Sequence, residues 1–238
     1  MPEAQANTVR VTVSKDGPYL VSGPAPLALM TIVADAEGES VAWREDPLPP
    51  KGATYALCRC GASRTKPYCD GSHQRIGFDG TETASRAPYA EQAEVWTGPV
   101  LALTDAQSLC AFARFCDRNG KVWAQVEQTD DPAIRKMFLE QVNACPSGRL
   151  VAWDDQSRSP REAEASVLIG LVEDQAEACS GPIWLRGGIA VASADGVPYE
   201  VRNRVTLCRC GSSGNKPFCD GSHAAMKFHD GLAPAGEG

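Results

Sequence analysis

Apolar and polar residues alternate over Val9-Arg10-Val11-Thr12-Val13 and again over Tyr199-Glu200-Val201-Arg202. A period of two predicts short strands with one buried face at both places. The best continuous apolar run, Leu27 to Ala34, falls far short of the roughly 18 residues of a membrane-spanning helix. A helical period governs the middle of the chain. Asp131-Pro132 offers an N-cap followed by a proline suited to a first turn, and Ile134, Met137, Phe138 and Val142 then share one apolar face. Leu109, Phe112, Ala113 and Cys116 form a second stripe at helical spacing. Gly187-Gly188 predicts a turn, His229 a surface position, and the Gly- and Pro-containing end from Gly231 a disordered tail. The polar, Ala-rich stretch Thr81–Glu94 and the charged stretch Asp154–Glu164 suggest linkers. The expected organisation is α+β, with units at 1–85, 86–160 and 161–238.

Self-comparison reveals a repeat. Residues 58–73 read CRCGASRTKPYCDGSH and residues 208–223 read CRCGSSGNKPFCDGSH, identical at twelve of sixteen positions. Cys58/Cys208, Cys60/Cys210, Cys69/Cys219 and His73/His223 recur at a constant offset of 150, and Phe78 and Phe228 follow each histidine by five residues. Upstream, Gly17-Pro18-Tyr19-Leu20 leads to the first motif and Gly181-Pro182-Ile183-Trp184 to the second, by a route about 14 residues shorter. Each motif reads as a loop and short helix attached to a small β unit.

Three thiolates and an imidazole are soft donors that suit zinc or an iron–sulfur cluster. A structural zinc site generally pairs its cysteines as C-x2-4-C. Cys58 and Cys60 have a single residue between them, an awkward bite for zinc; such a pair can share one iron while Cys69 and His73 take a second. Gly61 and Gly71 permit close backbone approach, and Pro67 and Pro217 stiffen the approach to the third cysteine. Asp70 and Ser72 are placed to cap a short helix starting near Cys69. Lys66/Lys216 and Arg59/Arg209 either offset cluster charge or are solvated surface cations.

These residues resemble the CDGSH iron–sulfur domain family, whose members include the mitoNEET-like proteins. The likeness rests on the Cys-Asp-Gly-Ser-His string, the preceding Cys-x-Cys and the Lys-Pro-aromatic step, and covers both sixteen-residue cores with β flanks. It implies two small β-rich CDGSH modules, each binding a 2Fe–2S cluster through three cysteines and a histidine near solvent. Membrane-anchored relatives form homodimers with one motif per chain. This sequence has no evident anchor and holds both motifs, which suggests an intramolecular pseudo-dimer.

Between the repeats, Cys110, Cys116 and the Cys145-Pro146 pair resemble the C-x2-C-x2-C and remote Cys-Pro pattern of ferredoxins, with Ala113 in the middle cysteine's place. The resemblance implies a divergent, ferredoxin-like module with a third cluster, 3Fe–4S or 4Fe–4S. Alternatively, Cys110 and Cys116 are small core residues on a helix. On a regular helix they would point about 120° apart, so joint ligation requires a loop. Cys179 is either a fourth ligand or an ordinary free cysteine.

Charge and composition narrow the function. The net charge of −7 argues against nucleic acid or an anionic membrane as the main partner. The amino terminus lacks the basic start and apolar core of a signal peptide, so a cytoplasmic protein is expected, where ten clustered cysteines read as metal ligands rather than disulfides. No nucleophile elbow, P-loop or Rossmann glycine pattern is present. The expectation is an electron carrier or redox sensor rather than a self-contained enzyme, with a redox partner protein. The alternatives are a cluster storage or delivery protein serving an apo-acceptor, and a structural zinc protein.

Overall fold

The structure is a computed structural model that describes residues 8–49 and 51–232. The first seven residues and the tail beyond 232 lie outside the described residues, and with them most of the expected disordered tail. Among the described residues, twelve strands run in chain order: β1 (Arg10–Val13), β2 (Tyr19–Ser22), β3 (Leu27–Ala34), β4 (Ser40–Leu48), β5 (Thr54–Leu57), β6 (Glu94–Thr97), β7 (Leu101–Asp105), β8 (Leu150–Asp154), β9 (Leu168–Asp174), β10 (Cys179–Arg186), β11 (Ala190–Ala192) and β12 (Arg204–Leu207). They form sheets of order β11-β1-β2-β5, β12-β10-β9-β3-β4 and β6-β7-β8. With few and mostly short helices, the fold is the expected α+β mixture.

The first two sheets exchange strands. β2 pairs with β5 as β10 pairs with β12, both antiparallel. β11 then joins β1 in parallel, while β3 joins β9 in parallel. Each motif-bearing half therefore lends a strand to the other's sheet. The first half lends a hairpin, because β4 pairs along the whole of β3, whereas the second lends only β11. This hairpin accounts for the longer route to the first motif. The apolar run Leu27–Ala34 is β3, flanked by strands on both sides, which is why it is continuous rather than alternating. Alternation elsewhere has its usual meaning: Tyr19 and Val21 are buried while Leu20, facing out, is 45% exposed. Val11, Val21, Ile169, Leu171, Ile183, Val191 and Leu207 pack into one core drawn from both halves.

One expected strand is absent. Tyr199–Arg202 forms no strand; apart from the Tyr199 amide, which donates to the Val191 carbonyl (2.9 Å), its contacts are made by side chains. Tyr199 packs edge-on against Phe218, Glu200 accepts a hydrogen bond from the Tyr89 amide (2.6 Å), and Arg202 donates to the Ser147 carbonyl (3.1 Å).

The middle sheet carries one longer helix, Pro132–Ala144, with Asp131 accepting from the amides of Ala133 (2.7 Å) and Ile134 (3.3 Å). This is the expected N-cap, with proline in the first turn. Phe138 and Val142 are buried against Leu101, Leu103 and Leu150. Among the described residues, no helix is long and apolar enough to cross a membrane.

Candidate metal centres

Each CDGSH loop leaves the end of a strand and is pinned back to it. The Cys58 amide donates to the Pro67 carbonyl (2.8 Å) and the Cys69 amide to Ala56 (2.9 Å). Cys208 and Cys219 repeat this with Pro217 (2.8 Å) and Thr206 (2.9 Å). The loop therefore returns its third cysteine beside its first. The expected helix start near Cys69 moves to Ser72. Gly71, at φ 82°, precedes the single turn Ser72–Arg75, and Gly221, at φ 88°, precedes Ser222–Ala225. Asp70 ties the loop rather than acting as the N-cap residue, accepting from the amides of Ser72 (2.9 Å) and Arg64 (3.0 Å). Asp220 does the same with Ser222 (3.0 Å) and Gly214 (2.7 Å).

The donors fall into pairs. Cys58 and Cys60 sulfurs are 3.8 Å apart, as are those of Cys208 and Cys210. The Cys69 sulfur is 3.4 Å from His73 Nδ1, and Cys219 is 3.4 Å from His223 Nδ1. A tetrahedral metal with bonds of about 2.3 Å to sulfur and about 2.0 Å to nitrogen separates two ligands by roughly 3.5–3.8 Å. Each pair thus has the bite of one metal. Among the described residues, no three His, Cys, Asp or Glu side chains converge as a site for one ion. Donors in two pairs suit a two-metal core. Within each close thiol pair one thiol is pushed down, Cys58 by hydrogen bonding from Cys60 and backbone amides and Cys208 in the same way from Cys210. The partner thiols are pushed up, and a bound metal would take the place of their protons.

The two loops touch. A Cβ on Gly211 would stand 2.7 Å from the Cys60 carbonyl oxygen, and one on Gly61 would collide with the Cys210 carbonyl. Both glycines have positive φ, 85° and 74°. The close approach expected of Gly61 is therefore to the other loop's backbone. Tyr19, from the first half, donates its hydroxyl to the Cys208 (2.9 Å) and Pro217 (3.0 Å) carbonyls of the second. Nor are the arginines surface cations: Arg59 and Arg209 are 1% and 2% exposed. Their enclosure results from folding around the Cys-Arg-Cys step, and the repeat of arginine at that step was its only sequence signal.

Cys110, Cys116 and Cys145 also come together. Residues 110–116 form an irregular loop with positive φ at Phe112 (54°) and Arg114 (61°), not a helix. Gln141, from the helix, donates to the Phe115 carbonyl (2.9 Å) and holds the loop. Cys110, Cys116 and Cys145 line one small hollow, with Ala113 and Pro146. Cys116 is pushed up to about 12 by burial and by the charges of Asp117, Cys145 and Cys110. Arg149 lies beside Cys110, its guanidinium held by Asp105. Cys179 is buried in β10 and does not line the hollow. The hollow abuts the second CDGSH loop: a Cβ on Gly221 would be 3.4 Å from the Cys110 carbonyl, and Asn215 Nδ2 donates to the Ser108 carbonyl (2.9 Å).

Residues 16–74 and 180–224 match the family model described as iron-binding zinc finger CDGSH type, and residues 96–155 match one described as divergent 4Fe-4S mono-cluster. The chain carries tandem CDGSH segments around a mono-cluster segment. The tandem CDGSH chain is thus an iron–sulfur protein. No curated protein and no solved structure matches it.

Proposed function

We propose that the tandem CDGSH chain carries single electrons through three neighbouring iron–sulfur sites. Cys58, Cys60, Cys69 and His73 would hold one 2Fe–2S cluster and Cys208, Cys210, Cys219 and His223 another. Cys110, Cys116 and Cys145 would hold a 3Fe–4S or 4Fe–4S cluster. When bound, such clusters supply one-electron couples. The chain's residues fix the donors in pairs, place the sites against one another and shield the second from water. The observation that carries this reading is the contiguity of the donor sets: Gly61 and Gly211 bring the two loops into backbone contact, and Gly221 abuts the carbonyl of Cys110. A cytoplasmic location, a redox partner protein and service to a separate oxidoreductase belong to the same proposal.

Iron and acid-labile sulfide counts with EPR on the anaerobically purified chain test it. Two 2Fe–2S clusters give four irons; a third cluster raises the count to seven (3Fe–4S) or eight (4Fe–4S). Zinc without labile sulfide would overturn the proposal.

A second reading, cluster delivery to an apo-acceptor, is favoured by one feature. His73 is partly exposed, whereas His223 is 4% exposed, so the first site can be reached by an acceptor. Incubation with an apo-ferredoxin separates the two readings: delivery moves intact cluster, and pure electron transfer leaves it in place.

A further inference from the structure

The two CDGSH sites have the same ligands but different charge around them. Arg209, between Cys208 and Cys210, is paired with two buried carboxylates, Glu173 at 2.9 Å and Asp230. Their side chains are 4% and 0% exposed, and Ser180 Oγ bridges them (2.7 and 3.2 Å). Arg59 occupies the equivalent place between Cys58 and Cys60. It donates to the carbonyls of Ser14 and Gly80, its Nε has no partner, and among the described residues no carboxylate forms an ion pair with it. The nearby Asp16 carboxylate is turned to the Gly80 amide (2.9 Å), and Asp79 is exposed.

The loops add to the difference. Asp70, next to ligand Cys69, has Arg75 at 3.5 Å. The position equivalent to Arg75 is Ala225, and Asp220 has no ion-pair partner among the described residues. Arg64 is likewise replaced by Gly214. The first site is therefore set in positive charge, and the second in carboxylate charge and under deeper cover. Adding an electron adds negative charge, which nearby carboxylates oppose and nearby cations favour, most strongly where water is excluded.

We infer that the charge around Arg59 and the Arg209–Glu173–Asp230 group make the first CDGSH site the preferred electron acceptor and the second a lower-potential relay. The inference rests on the electron-carrying reading. A low-potential one-electron donor reduces the second site, directly or by way of the middle site, which is then oxidised again. One electron then leaves the second site, which is oxidised, and enters the first, which is reduced; no bond or proton is exchanged. The half-exposed first site passes the electron to a one-electron acceptor protein.

The test is a potentiometric EPR titration of the cluster-loaded full chain. The expected result is two 2Fe–2S waves separated by at least a tenfold electron preference, about 59 mV for a one-electron couple. His73→Cys, which replaces a neutral donor by a thiolate, should lower the upper wave alone and so assign it. Asp230→Asn should raise the lower wave. Should that buried change prevent cluster loading, the exposed exchanges give a second route: Ala225→Arg raises the lower wave and Arg75→Ala lowers the upper one, each by a smaller shift. Coincident waves, a lower wave belonging to the first site, or waves indifferent to these charges would overturn the inference while leaving the carrier reading intact. Absence of any reversible 2Fe–2S wave would overturn both.

Discussion

The two CDGSH loops share twelve of sixteen residues and the same internal distances, yet one is half open and the other sealed. Cys208, Cys210, Cys219 and His223 are 1%, 7%, 2% and 4% exposed, whereas Cys60, Cys69 and His73 of the first copy are only partly buried. The difference comes from what covers them. The middle segment seats Ser108, Cys110 and Phe112 over the second loop, whereas among the described residues nothing stands within 4 Å of a Cβ placed on Gly71, the equivalent position in the first. Donor geometry is thus a local property of the loop, while access and charge belong to its neighbours.

The strongest way to break the comparison is to remove one ligand from each copy. Cys69→Ala and Cys219→Ala should each lose two irons, measured by iron and sulfide assay. Loss at the sealed site should cost roughly 2 kcal/mol more stability, about 4–8 °C in Tm for a chain of this length, because it leaves an empty space inside the fold. Equal melting losses would show that enclosure contributes nothing.

Acid provides the next test. Burial, with a smaller contribution from Arg209, pushes His223 down to about 4. Its folded value lies below its unfolded value of about 6.5. Its neutral, ligand-competent ring therefore contributes stability that is fully present above about 6.5 and lost as pH falls through about 4. The open site, with its histidine partly exposed to water, should bleach first as acid is added, so that about half of the 2Fe–2S absorbance decays before the rest. A single phase would remove the distinction.

The smallest effect probes the contact between the copies. Gly211→Ala forces a side chain at φ 85° against the Cys60 carbonyl. A cost of about 1–3 kcal/mol is expected in chemical denaturation. Gly38→Ala, where a Cβ meets nothing within 4 Å, provides the control for positive φ alone.

Much of the site was legible in the sequence because metal bite depends on short spacing. Cys-x-Cys and Cys-x3-His bring donors together within one loop, whatever the rest of the fold does. The cap at Asp131 was readable for the same reason, since helix caps leave local marks, whereas Leu27–Ala34 was read only as an apolar run too short to span a membrane. Tyr199–Arg202 misled because its alternation serves contacts to Phe218, Tyr89 and Ser147 rather than a ladder. The Cys110–Cys116 stripe was ambiguous because its loop is held by Gln141 from a distant helix.

By itself, the sequence determined two identical donor sets, a third group of cysteines and the iron–sulfur chemistry they imply. Only the tertiary structure decided that the halves exchange strands, that Arg59 and Arg209 are buried, and that the copies are unequal. The reason is physical. Ligand spacing is written within sixteen residues, but enclosure and electrostatic balance depend on Cys110, Glu173 and Asp230, which reach the second loop only after the chain has folded.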